Sequence, residues 1–575
     1  MSPGDRPQIL VLGGEPRVAA RHNSERLNVT LYGSPVINGN SNGRGLLDNN
    51  GLIADLENDP AKVLRQLDGE FVALIETPEH VIIASDRFSS HPVFYVVEND
   101  TLVISFSYQA IWNRLTERNA LKIDPLAFYE FLHFQRLFAE STLDQSTKAL
   151  QPATVLSFNR STANITTSSY WSPNFEKRSD GRKAIARDLA NAVRDSVTTK
   201  TRNSKKTVML LSGGMDSRVV LGGFTRNAQP LCITIGEIEN NEVDVARSLA
   251  GVAGAEHSFV QRSTSHYTDV VSEAVSAGGS MFSYQHGHFF DLDLPETDLI
   301  LHGHGFDYFF QGMYLPSRRK TFLGRNTRSW ALESIGFDLV GEYITKAKYR
   351  LKGNDPLSLL KPGLKEQAMD SLRSDLDSVL APVQSQIANP HDQWDYLTTS
   401  APGRHYTYLN LLSAGSLAEQ RTIAFTNNIL DIYHSTPAEV RHGTTLLAET
   451  LKHLNPRLLE VRNANTNLRP DRSPTRLTID GWVRSAKRRI GMSNTSAADP
   501  SANDRSWPTD AMIVRNSPEL FARIEKLPDS DGIGALDLFD ESKLTNLVNT
   551  SRQSDNNAAS ALLSLLTIDE FLTSK

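Results

Sequence analysis

Thr207-Val-Met-Leu-Leu211-Ser212-Gly213-Gly214-Met215-Asp216-Ser217-Arg218 is the stretch of sequence that decides the fold. Its apolar start suits a strand buried in a parallel sheet. Two glycines then permit a tight turn, and a helix should begin near Asp216. Backbone N–H groups converge at such a turn, and the helix N-terminus adds partial positive charge, so the junction is an anion site. The carboxylate of Asp216 would repel a bare phosphate. Its presence points to Mg²⁺ bridging carboxylate and phosphate oxygens. Two glycines alone would also suit a plain turn with Asp216 as a helix cap. The full S-G-G-x-D-S string at a strand-to-helix junction favours the anion site.

The flanking sequence repeats the alternation. Ile185, Leu189 and Val193 recur four apart and place one apolar stripe on a helix. Arg218 to Phe224 continues as helix, Leu231 to Ile235 is a second apolar run, and a helical stretch follows through Val245 and Leu249. Strand, helix, strand, helix is the pattern of a doubly wound α/β domain. From about Asp338 to Leu454 the pattern is mostly helical, and a helical stretch from Leu315 to Tyr408 is expected to shape an acceptor pocket. The first 175 residues instead carry short apolar runs at Ile9–Leu12, Val81–Ala84, Val93–Val97 and Leu102–Phe106, with turn chemistry at Asn38-Gly39 and Asn42-Gly43. Two domains are expected, 1–175 mostly β and 180–575 α/β with helical insertions and a C-terminal extension. Ser493–Ser506 is rich in Ser, Ala, Asn, Asp and Pro and is expected to be a loop.

Composition narrows the function. Of 575 residues, 39% are hydrophobic and 22% charged, ordinary for a soluble globular protein. Lys and Arg number 60 against 66 Asp and Glu, a net charge of −6, which gives no electrostatic reason to expect nucleic acid or an anionic membrane. One cysteine, Cys232, excludes an internal disulfide framework and a cysteine-rich zinc site. No apolar run is long enough for a leader or a membrane span, so a cytoplasmic location is expected.

Ser212–Ser217 resembles the pyrophosphate-binding loop of the ATP pyrophosphatases, in the branch of the asparagine synthetases and β-lactam synthetases. That resemblance implies ATP and Mg²⁺, adenylation of a carboxylate, release of pyrophosphate, and displacement of AMP by an amine or ammonia. The Walker pattern G-x-x-x-x-G-K-[ST] is missing from the loop, which disfavours transfer of the terminal phosphate. Ile233-Thr-Ile235-Gly236, with Glu242, Ala246, Ala250 and His257, is similar to the family's adenine-lining strand and helix. Ile300-Leu-His302-Gly303-His304-Gly305-Phe306-Asp307, with Phe310 and Gly312, is similar to its G-x-G-x-D-x-x-x-x-G segment. The resemblance makes Asp307 the second magnesium ligand, partner to Asp216. Arg421–Glu439 and Leu446–Arg462 resemble the helical end of the synthetase domain.

Three departures matter. Relatives carry Glu or Tyr where this chain has His304, and a histidine there can take a proton from an attacking amine near neutral pH. The family's lysine in an R-x-K context reads Arg462-Asn463-Ala464, leaving Arg462 or Arg469 as the nearest cations. The family's P-F-L-D string reads Ala424-Phe425-Thr426-Asn427. At the front, Leu67-Asp68-Gly69-Glu70-Phe71 and Ala84-Ser-Asp86-Arg87-Phe88 through Tyr95 resemble a class II glutamine amidotransferase. That fold uses a cysteine just after the initiator methionine, whereas this chain reads Met1-Ser2-Pro3. The front domain is therefore expected to be a relic without glutaminase activity.

The expected function is an AMP- and pyrophosphate-forming amide synthetase acting on a small-molecule or peptide carboxylate. Leu211, Ser212, Gly213, Gly214, Asp216, Ser217, Ile235, Gly236 and Gly303 would bind ATP, Asp216 and Asp307 would hold Mg²⁺, and His304 would help activate the amine. The alternatives are a glutamine-hydrolysing asparagine synthetase, a cyclase closing a β-lactam or peptide macrolactam, and a non-catalytic nucleotide-binding relative. No nucleic acid or membrane partner is expected; a homodimer or a pathway partner protein stays open.

Overall fold

The computed structural model describes residues 9–37, 47, 50–322, 325–347, 356–472, 475–476, 478–479, 482–483, 506–551 and 558–574. Met1–Pro3, the Asn38-Gly39 and Asn42-Gly43 turns, and all but the last residue of the Ser493–Ser506 loop lie outside them.

The front region is built on two sheets. The larger has six strands in the order Ile165–Ser169, Thr154–Asn159, His80–Ser85, Leu67–Glu76, Asn28–Ile37, Val18–Asn23, with every neighbouring pair antiparallel. The smaller has four, ordered Ile9–Leu12, Thr101–Ser105, Phe94–Glu98, Lys148–Ala149. Side chains alternate along strand Leu67–Glu76 as its period of two requires. Val72 and Leu74 join Tyr95, Leu102 and Ile104 of the smaller sheet in one apolar layer. Phe71, Ala73 and Ile75 point the other way, into a layer with Leu56, Val63 and Leu64 of helices Asn50–Asn58 and Pro60–Gln66. Helices Tyr108–Glu117 and Pro125–Phe134 complete an α+β unit.

The second region holds a five-stranded sheet ordered His257–Gln261, Leu231–Gly236, Thr207–Leu210, Leu299–His302, Glu419–Thr422, all parallel. Both faces are covered. Val208, Ile233 and Ile300 pack on one side, and Met209, Cys232 and Leu301 on the other. From the central strand Thr207–Leu210 the chain adds two strands on one side, then places the next two on the other. The order therefore reverses between Thr207–Leu210 and Leu299–His302, and open α/β sheets bind ligands at such a crevice.

Two expectations are corrected. Residues Ser317–Phe322 and Arg325–Leu332 form an antiparallel hairpin, so the segment from Leu315 is not helical throughout. Glu419–Thr422 is the fifth strand within a stretch read as helical. It is four residues long and mostly polar, and only its pairing with Leu299–His302 makes it a strand.

Candidate functional site

The helix Asp216–Gly223 starts where the sequence places it, directly after the glycine turn. The turn is held by its own serines. Ser217 Oγ donates to the Ser212 carbonyl at 3.1 Å and lies 2.9 Å from Ser212 Oγ, and the Gly214 N–H donates to Ser212 Oγ at 3.3 Å. Thr234 Oγ1 of the neighbouring strand donates to the Leu211 carbonyl at 2.6 Å.

A second fastening was not legible as a motif. Arg218 is fully buried and donates to five carbonyls: Gly214 from Nε, Leu458 and Val461 from Nη1, Gly213 and Arg462 from Nη2, at 2.8–3.3 Å. Burial without a carboxylate partner pushes its guanidinium down to about 10. The same segment brings Ala464 against the turn. Its N–H donates to the Gly213 carbonyl at 3.1 Å, and a Cβ on Gly213 would lie 2.3 Å from the Ala464 Cβ. Glycine at 213 is thus a packing requirement.

The loop after strand Leu299–His302 meets this turn across the switch point. A Cβ on Gly303 would sit 2.4 Å from the Ser217 nitrogen, so only glycine lets the loops approach this closely. Gly305, at φ 96°, starts the short helix Phe306–Phe310, which carries Asp307. Asp216 and Asp307 line one cavity of about 280 Å³. Burial, then the Asp307 charge, holds the Asp216 carboxyl well above the usual carboxylate range. Burial pushes Asp307 up to about 6, against opposing backbone hydrogen bonds. Gln311 Nε2 donates to Asp216 Oδ1 at 2.6 Å, while buried Asp307 Oδ1 has no hydrogen-bond partner among the described residues. A divalent cation fits this arrangement. It would neutralise two facing carboxylates and satisfy the orphaned oxygen, and Mg²⁺ commonly takes one or two protein carboxylates plus phosphate and water. Among the described residues no group of three or more His, Cys, Asp or Glu could hold a metal unaided.

Leu211, Ser212, Asp216, Ser217, Ile235, Gly303, His304 and Asp307 all border the cavity; Gly213, Gly214 and Gly236 do not border it directly. His304 is packed near Tyr308, Tyr408 and Phe425, with ring centroids 5.5, 6.5 and 6.3 Å away. Burial lowers its imidazole to about 3, and Nε2 lacks a partner among the described residues. The neutral ring is therefore free to take a proton, but the enclosed site holds that proton only weakly. Beside it, His302 Nε2 pairs with Gln420 Oε1 at 2.8 Å. His257 bonds Thr234 Oγ1 at 2.9 Å and plays a structural part.

Neither cation considered as a replacement for the family lysine borders the cavity. Arg462 is exposed and bonds Asn241 and Asn467, and Arg469 pairs with Asp471. Both point where solvent can accommodate their charge, a placement that spacing along the chain does not reveal. Asn410 and Trp507, far away in sequence, border the cavity without any sequence signal. Gln311 carried no signal for its part either, because the carboxylate it bonds, Asp216, lies 95 positions away.

The amidotransferase-like motifs end up against the synthetase sheet. Both Glu70 carboxylate oxygens lie 3.1 Å from the Thr422 nitrogen, and buried Lys200 reaches Glu70 at 3.5 Å and the Thr422 and Phe425 carbonyls at 2.6 and 2.7 Å. Asp68 accepts the Asn427 N–H at 2.8 Å. Phe88 stacks on Phe425 with centroids 4.7 Å apart, and the Tyr408 hydroxyl donates to the Ser90 carbonyl. The front domain thus supports the floor beneath His304.

The asparagine synthase family matches residues 188–421, and the glutamine amidotransferase domain family matches residues 39–171. Asparagine synthetase [glutamine-hydrolyzing] 1 of Bacillus subtilis (strain 168) is 26% identical over 211 residues, 36% of this chain and 33% of that protein. The chain thus matches about a third of that relative's length. Two solved structures share 11% identity. They are the allosteric regulatory enzyme of purine biosynthesis (43% of this chain, 63% of that one, TM-score 0.20) and the B. subtilis glutamine phosphoribosylpyrophosphate amidotransferase with ADP and GMP (42% and 48%, TM-score 0.15). Likeness that low decides nothing about the fold. The chain thus carries a region similar to glutamine amidotransferase domains ahead of a region similar to asparagine synthases, and the two acidic turns described above lie within the latter.

Proposed function

We propose that this protein is an ATP-dependent carbon–nitrogen ligase that adenylates a carboxylate, releases pyrophosphate, and lets an amine or ammonia displace AMP. The observation that carries this reading is the pair Asp216 and Asp307. They come from turns of two adjacent strands and are buried in one cavity, where burial and then the Asp307 charge raise the proton affinity of Asp216, and burial raises that of Asp307. Burying two like charges is costly unless a cation compensates them.

The chain's own residues supply the remaining steps. The N-terminus of helix Asp216–Gly223, with Ser212 and Ser217 at the cavity wall, faces the leaving pyrophosphate. Mg²⁺, held by Asp216 and Asp307, would spread the charge of that leaving group. Ile235 and Gly303 form walls beside the nucleoside. His304 stands at the cavity wall where it could accept a proton from the attacking amine. Burial lowers its imidazole to about 3, however, so it is a weaker base than the near-neutral histidine expected from the sequence.

The amine arrives without help from a glutaminase. In support, the sole cysteine, Cys232, is fully buried in strand Leu231–Gly236 of the synthetase sheet, where burial pushes its thiol up to about 12. A thiol so placed is no nucleophile. The amidotransferase-like motifs serve instead as interdomain contacts. Retention of both aspartates favours a working ligase over a nucleotide-binding relic. Incubation with ATP, Mg²⁺ and a panel of carboxylates and amines should yield AMP and pyrophosphate. Formation of ADP and phosphate would refute the proposal.

A further inference from the structure

The wall of the cavity next to strand Leu231–Gly236 is completed by residues from the C-terminal region. Ser506 and Trp507 border the cavity together with Ile235, Glu242 and Phe289. Charged side chains on the sheet side hold the backbone of Ser506. Its N–H donates to Glu242 Oε2 at 2.9 Å, and its carbonyl accepts from Arg262 Nη2 at 2.8 Å. Arg262 is itself buried, and its backbone N–H donates to the Gly236 carbonyl at 2.9 Å. A Cβ on Gly236 would lie 3.7 Å from the Ser506 Cα, so the strand end and this segment are in contact.

With Ser506 fixed, the indole of Trp507 has a defined place. It stacks on the His288 ring, with centroids 4.4 Å apart and planes 29° from parallel, and meets Phe289 edge-on at 5.4 Å. The Arg262 guanidinium lies 5.1 Å from its centroid and 5.0 Å from that of Tyr267. Tyr267 OH in turn bonds His288 Nδ1 at 2.8 Å. Helix Asp510–Asn516 follows at once and packs on helix Ala559–Thr573, which anchors the segment to the core. A flat, preorganised aromatic ring at the edge of a cavity is suited to a planar heterocycle, since stacked or edge-on ring contacts add to the gain from burial.

We propose that Trp507 is a nucleobase-recognising residue, packing against the purine of the bound nucleotide, and that the C-terminal region thereby completes the nucleotide site. The proposal rests on the reading that this cavity takes ATP. It adds a contact beyond the two acidic turns, from a part of the chain outside the asparagine synthase match.

The test is ATP–Mg²⁺ binding, by calorimetry and by tryptophan fluorescence, with no carboxylate substrate present. ATP should quench wild-type fluorescence, and Trp507→Phe should bind ATP within about threefold of wild type yet lose most of the quench. Trp507→Ala should weaken binding about tenfold or more, with a smaller loss for CTP. An Ala variant within twofold of wild type for ATP would overturn the proposal. So would equal quenching in wild type and the Phe variant, a readout that stands even if the Ala variant fails to fold. In either case ATP binding by wild type leaves the ligase reading intact. Wild-type protein that does not bind ATP at all would overturn both.

Discussion

Replacing Asp307 by Asn should make the ligand-free protein more stable and the enzyme far slower, a combination that damage to the fold does not imitate. In the folded protein burial raises the Asp307 carboxyl from 3.8 to about 6. That rise corresponds to roughly 3 kcal/mol of differential stability between the two protonation states. The sign follows from linkage. Because the folded-state value is raised, the protonated side chain is the favoured buried form. Its contribution is fully present below about pH 4 and is lost as pH rises through about 6. Asn keeps the shape and removes the charge, so Asp307→Asn should exceed wild type in stability at pH 8 by up to about 3 kcal/mol. The difference should vanish near pH 4. Asp216, relieved of its neighbour's charge, contributes in the same direction. In pyrophosphate exchange the same variant should lose roughly a hundredfold to a thousandfold in rate, about 3–4 kcal/mol in the barrier. Denaturant unfolding at the two pH values, beside exchange, measures both. A variant no more stable than wild type at pH 8, and still exchanging at the wild-type rate, would refute the argument for a metal-bridged pair.

Other outcomes follow from neighbouring residues. His304→Ala should leave pyrophosphate exchange near wild type while amide formation falls roughly a hundredfold or more, measured as product from the same reaction. Arg218→Lys replaces a planar fork on five carbonyls with a single ammonium and should cost about 3 kcal/mol in unfolding free energy, together with weaker ATP binding. Glu70→Ala leaves Lys200 as a buried cation without its carboxylate and should cost about 3–5 kcal/mol, although Glu70 is remote from the acidic turns in sequence. Purified protein given glutamine should release no glutamate; steady release, unchanged in Cys232→Ser, would show another nucleophile in the front domain.

The sequence by itself determined what short-range chemistry dictates. The apolar run Thr207–Leu211, the glycine pair and the carboxylate at Asp216 specify a strand, a turn and a helix start, because each depends on residues within a few positions. The strand at Leu231 and the helix through Val245 and Leu249 were legible for the same reason, whereas the second turn at Gly303–Asp307 was legible through its resemblance to the G-x-G-x-D-x-x-x-x-G segment. Tertiary structure alone decided what joins them. The strand order sets the two turns side by side, and contact with Ser217 explains why position 303 must be glycine. The polar strand Glu419–Thr422 exists because a parallel neighbour pairs with it, and the Ser317–Leu332 hairpin because its halves pair with each other. Arg218, Lys200 and Trp507 look like ordinary surface or core residues in the sequence. Their roles come largely from carbonyls, carboxylates and rings supplied by segments more than a hundred residues away, such as Leu458, Val461 and Arg462 for Arg218, and burial at those meeting points turns each one into a fixed part of the site.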